Sequence, residues 1–180
     1  MRTIRVALYL TFFSLFLLAC ESDEDEMQTD NPNEVGFNIN VSGDFSRNMQ
    51  GTNATFAFQE LPSLATTTHQ LSIYFTDSEG YTVTAIIKVN GTSTPPPGTY
   101  PALNLTANGF NGDDPGTVTF LFGKEGGISH TSNLQGQGGL SILTTREGLL
   151  SGSLETPLVP SGTGSGNISV SGTFTAEPSP

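Results

Sequence analysis

Apolar and polar residues alternate along most of the chain. Val35, Phe37, Ile39 and Val41 take every second position, with Gly36, Asn38 and Asn40 between them. The same period of two runs through Ala54-Phe56-Phe58, Leu71-Ile73-Phe75 and Val83-Ala85-Ile87-Val89. It returns in Val118-Phe120-Phe122, Leu140-Ile142, Leu150-Gly152-Leu154 and Ile168-Val170-Gly172-Phe174. A period of two puts those side chains on one face of a strand, with the polar partners on the other. That is the pattern of antiparallel sheets with one solvated side. No stretch after Cys20 keeps a helical period over a useful length.

Turn-forming residues separate the runs. Asp77-Ser78-Glu79-Gly80 reads as a four-residue hairpin loop, with Gly80 taking the positive φ angle. Pro95-Pro96-Pro97-Gly98 cannot lie in a central strand, because proline has no backbone donor, so it reads as a stiff connection between sheets or at an edge. Asn108–Gly116, Gly123–Gly139 and Pro160–Asn167 read as loops. About eight or nine short strands at this spacing predict an all-β domain over residues 35–177, a single antiparallel β-sandwich, with an up-and-down or half-open β-barrel as the alternative.

A local echo runs through the domain. Val41-Ser42-Gly43-Asp44-Phe45, Leu150-Ser151-Gly152-Ser153-Leu154 and Val170-Ser171-Gly172-Thr173-Phe174 share the order apolar, Ser, Gly, polar, apolar. Glycine inside a strand marks a bulge, a bend or the close approach of another backbone. The last two copies are expected to pair across the Pro160–Asn167 loop.

The first 34 residues follow different rules. The chain opens with Arg2 and Arg5 at the start of an apolar run from Ile4 to Leu18, followed by Ala19 and Cys20 in Leu17-Leu18-Ala19-Cys20. The run is shorter than the roughly 20 residues of a membrane span and has the parts of a secretory signal over residues 1–19. Cys20 is the one cysteine, so no intramolecular disulfide can form. Glu21-Ser22-Asp23-Glu24-Asp25-Glu26 then opens an acidic segment through residue 34, whose like charges keep it extended. Fully stretched, it would reach up to about 45 Å.

Leu17–Cys20 resembles the lipobox of bacterial lipoproteins, with Leu18 in place of the commoner Ala or Ser. The resemblance implies cleavage before Cys20 and thioether attachment of lipid to its sulfur. Ser22, Asp23, Glu24, Asp25 and Glu26 resemble the export signal that places lipoproteins of Bacteroidota on the outer face of the outer membrane. The body is similar to a loose group of Bacteroidota lipoproteins, through Pro97-Gly98-Thr99-Tyr100, Gly138–Ile142, Ser151–Leu154 and Ser171–Phe174. That group carries no activity with it. The implied location is the outer membrane, facing out from the cell, with the membrane as partner through the lipid on Cys20.

Charge narrows the partners. The chain has 17 acidic and six basic residues, and seven of the acids fall between Glu21 and Glu34. The bases beyond the signal are Arg47, Lys88, Lys124 and Arg146. This argues against nucleic acid, which needs a basic face.

Candidate chemistry is sparse. His69, placed just before a strand, and His130, placed in the Gly123–Gly139 loop, are the two side chains that titrate near neutrality unperturbed. Neither has ligands at metal-site spacing, and the sequence contains no nucleophile elbow or phosphate loop. The expectation is a non-enzymatic binding or structural domain without cofactor or metal. The alternative is a carbohydrate-binding accessory module of a surface uptake system, calcium-assisted if Asp113 and Asp114 in Asn111-Gly112-Asp113-Asp114 supply oxygen ligands. Tyr81, beside the Asp77–Gly80 turn, is the candidate for stacking on a sugar. An extracellular glycan or protein is the expected partner.

Overall fold

In the computed structural model every alternating run is a β-strand. The structure describes residues 34–61, 68–90, 95–103, 116–132, 137–146, 148–162 and 164–180. In chain order the strands are β1 (Gly36–Gly43), β2 (Arg47–Gly51), β3 (Ala54–Leu61), β4 (Thr68–Thr76), β5 (Tyr81–Asn90), β6 (Gly98–Pro101), β7 (Val118–Lys124), β8 (Ser129–Ser132), β9 (Gly139–Arg146), β10 (Leu149–Pro160) and β11 (Ile168–Pro178). No helix occurs among the described residues.

Three of these eleven strands fall outside the eight alternating runs. β2, β6 and β8 are four or five residues long. Each has one or two inward positions, and those of β8 are polar: His130 and Ser132. Their alternation is therefore too short or too polar to stand out. β8 also corrects the loop expected over Gly123–Gly139.

The inward faces form one core. Ile39, Leu71, Ile73, Phe75, Ile87, Phe120, Phe122, Leu140 and Leu150 are all fully buried. Each such side chain stabilises the fold by about 1.5–3 kcal/mol relative to leaving it in water. Phe56 and Phe58 of β3 pack against this core but remain half-buried. Buried polar groups are mostly paired: Ser132 Oγ accepts from the Phe120 N–H at 2.6 Å, and Thr156 Oγ1 donates to the Gln137 carbonyl at 2.9 Å.

One continuous sheet contains all eleven strands, in the order β2-β1-β11-β3-β4-β5-β7-β8-β10-β9-β6, with a further pairing of β11 to β10. Following the pairs from β11 through β3, β4, β5, β7, β8 and β10 leads back to β11. The β10–β11 hairpin, predicted from the sequence echo, is the junction: Gly152 faces Phe174 and Leu154 faces Gly172. Its outer edges are each shared between two partners. β11 pairs with β1 over Ile168–Thr175 and then with β3 at Glu177 and Pro178. β10 pairs with β9 over Leu149–Glu155 and then with β8 over Leu158–Pro160. The β11–β3 contact is parallel, a departure from the otherwise antiparallel strand pairing.

The echo glycines mark close backbone approach. A β-carbon on Gly172 would meet the Asn38 carbonyl oxygen and lie 2.7 Å from Ile39 Cα. β9 carries a register shift opposite Ser151 and Gly152, which leaves Leu143 unpaired and exposed.

Candidate functional site

The Asp77–Gly80 hairpin forms as the sequence predicts, with Gly80 at φ +83°. Asp77 organises it. Its Oδ1 accepts from the backbone N–H groups of Glu79 (2.9 Å) and Tyr81 (3.0 Å). Its Oδ2 accepts from Arg47 Nε at 2.7 Å, and Arg47 Nη1 donates to Glu79 Oε2 at 3.0 Å. Burial pushes the Asp77 carboxyl up, but hydrogen bonds from the Tyr81 N–H, Arg47 and the Glu79 N–H outweigh it and hold the group below the usual carboxylate range. The hydrogen bond and charge of Arg47 lower Glu79 in the same way.

Tyr81 lies in the middle of this cluster. The Arg47 Cζ is 4.3 Å and the Lys124 Nζ 4.8 Å from its ring centre, within cation–π range. The ring also stacks against Phe45 at 5.6 Å and Phe122 at 6.0 Å. Tyr81 is half-buried, and its ring packs within the protein, tying β2 and β7 to the β4–β5 hairpin. Tyr74 is the more exposed tyrosine, at 36 %. It points outward from β4 between Thr55 and Thr84 of the adjacent strands. Its place between Ile73 and Phe75, on the polar parity of the run, was the sequence signal for that orientation.

Both histidines lie in strands and are buried, contrary to their expected placing before a strand and in a loop. His69 is the second residue of β4, stacked on Phe58 with ring centres 5.2 Å apart. His130 of β8 is fully enclosed, and its Nε2 donates to the Gly166 carbonyl at 3.2 Å. Nδ1 of each ring has no hydrogen-bond partner. Among the described residues no three His, Cys, Asp or Glu side chains come together to hold a metal. Cys20, Ser22–Glu26, Asp113 and Asp114 lie outside the described residues.

A feature that single-strand reading could not assemble is the solvent face of β2-β1-β11-β10-β9-β6. Register aligns Gln50, Asn38, Thr173, Ser153, Ser141 and Thr99 in one row across six strands. The next row holds Asn48, Asn40, Ser171, Glu155, Gly139 and Pro101. Glu155 is the one ionisable residue in the two rows. An open groove of about 470 Å³ runs over the β6, β9, β10 and β11 portion. Its walls carry the hydroxyls of Thr99, Ser141, Ser153, Ser171 and Thr173 together with Glu155, Leu154 and the backbone of Gly138, Gly139 and Gly172. Thr99 Oγ1 and Ser141 Oγ lie 3.2 Å apart.

Comparison of the chain with protein-family models, with curated proteins and with solved structures found no match.

Proposed function

We propose that the chain is a lipid-anchored bacterial protein, displayed at the outer surface of the outer membrane, whose β-domain binds or supports and does not catalyse. The observation that carries the reading is the Leu17-Leu18-Ala19-Cys20 ending of a short apolar run. It contains the chain's one cysteine and is followed by Glu21, Ser22 and four further acidic residues. Two observations support the non-catalytic part. His69 is stacked on Phe58, and His130 is enclosed and bonded to a backbone carbonyl.

Replacing Cys20 by Ser and following the full chain in a bacterial host tests the anchor. The expected outcome is loss of labelled palmitate and release from the membrane fraction; unchanged retention refutes it. Deleting Ser22–Glu26 and treating intact cells with protease tests display. Equal sensitivity before and after the deletion refutes the export signal.

Glycan binding by the domain is the second reading. The groove lined by hydroxyls and the Glu155 carboxylate favours it.

A further inference from the structure

The groove over β6, β9, β10 and β11 combines hydroxyl side chains, one carboxylate and bare backbone at its glycines. Ligand pockets of a few hundred Å³ are mostly apolar, with a few polar groups fixing orientation. Here too apolar atoms make up most of the lining surface; the polar groups are mainly hydroxyls, and Glu155 supplies the one charge among the described lining residues. Hydroxyls both donate and accept, whereas a carboxylate only accepts. Glu155 therefore needs donors while the hydroxyls can take either role, a combination that a ligand rich in closely spaced O–H groups satisfies. Among the described residues no cation lines the groove, so an anionic ligand would meet Glu155 uncompensated. Arg47, with Asp77 and Glu79 as its partners, is occupied elsewhere. An extended peptide seeks unpaired strand edges, and the β9, β10 and β11 edges beneath the groove are already paired.

We propose that this groove binds a neutral saccharide, with Glu155 accepting from neighbouring sugar hydroxyls and Ser141, Ser153 and Ser171 bonding to the rest. The site rests on the glycan-binding reading and adds to it a location and a ligand class. The anchor plays no part in it, so the Cys20 experiment can fail without touching it.

The test uses the full chain in detergent micelles, titrated by calorimetry with cellohexaose, xylohexaose, mannohexaose and hexagalacturonate at up to millimolar concentration. Circular dichroism melting checks that each variant folds. At least one neutral hexaose is expected to bind. Glu155→Gln, a near-isosteric change at an exposed position, should weaken it about tenfold, the loss of one charged hydrogen bond. Ser153→Phe should block it, and Tyr74→Ala, on the β4 face, should leave it unchanged. Failure of all three neutral sugars to bind overturns the proposal, as does equal affinity for hexagalacturonate. Binding that survives Glu155→Gln and Ser153→Phe but falls in Tyr74→Ala also overturns the groove, while leaving glycan binding in place on the other face.

Discussion

The ring of Phe174 lies over Gly152, its partner across the β10–β11 pair, with Cζ 2.9 Å from the point where a β-carbon on Gly152 would stand. The Ser141 carbonyl crowds the same point from β9. Gly152→Ala must therefore move backbone as well as a ring. It should destabilise the domain by about 1–3 kcal/mol, the usual cost of overpacking. Phe174→Ala should cost about 3–5 kcal/mol through the cavity it leaves. Adding Phe174→Ala to Gly152→Ala should relieve only part of the clash, since the Ser141 oxygen remains. Gly80→Ala is the comparison, because it meets nothing within 4 Å but has φ +83°. Urea unfolding should rank Gly152→Ala as the costlier of the two alanines; the reverse order would refute the close-approach account.

Asp77 predicts the acid behaviour. Its carboxyl ionises at lower pH in the fold than in the unfolded chain. Its contribution is fully present above the ordinary carboxylate range of about pH 4 and is lost as pH falls through the depressed folded value. Asp77→Asn keeps a side-chain oxygen for the Glu79 and Tyr81 N–H groups but removes the charge facing Arg47. Its melting temperature should fall at neutral pH and depend less on pH below about 4. Asp77→Ala loses the acceptor as well and should cost about 1–3 kcal/mol. An unaltered acid limb in Asp77→Asn would show that the titration lies elsewhere.

Tyr100 governs the opposite end of the pH scale. It points into the core from β6, and its O–H donates to the Pro96 carbonyl at 2.6 Å, closing the proline-rich connection onto the strand. Burial raises its ionisation above the usual value. The fold holds it neutral, so its contribution is complete below about pH 10 and is lost as pH rises through the folded value. Tyr100→Phe should cost about 1 kcal/mol at neutral pH. It should also flatten the alkaline limb of the melting curve; an unchanged limb would count against this role.

Parts of the molecule follow directly from local pattern. The runs around Ile73 and Ile87 fill their faces with large apolar groups, so period and turn chemistry together define β4, β5 and the Asp77–Gly80 loop. β2 shows the limit: Met49 is its single buried side chain, and one apolar residue makes no period. His130 was misplaced for a related reason, because a buried polar residue inverts the signal that alternation relies on. The Arg47–Asp77 pair spans 30 residues of sequence, and neither partner hints at the other. The groove depends on register among β6, β9, β10 and β11; the polar parity of Ser141, Ser153 and Thr173 was visible, but not that they share a row with one another and with Thr99 of the short β6.

The divided edges of β10 and β11 also set an order of events during synthesis. β1 and β3 wait for β11, and β8 and β9 wait for β10, so strands made earlier keep bare edges until this hairpin emerges. A ribosome delivers the chain amino end first, and bare edges cannot close without their partners. The late hairpin acts as a clasp, closing at once the edges left bare on both sides of it.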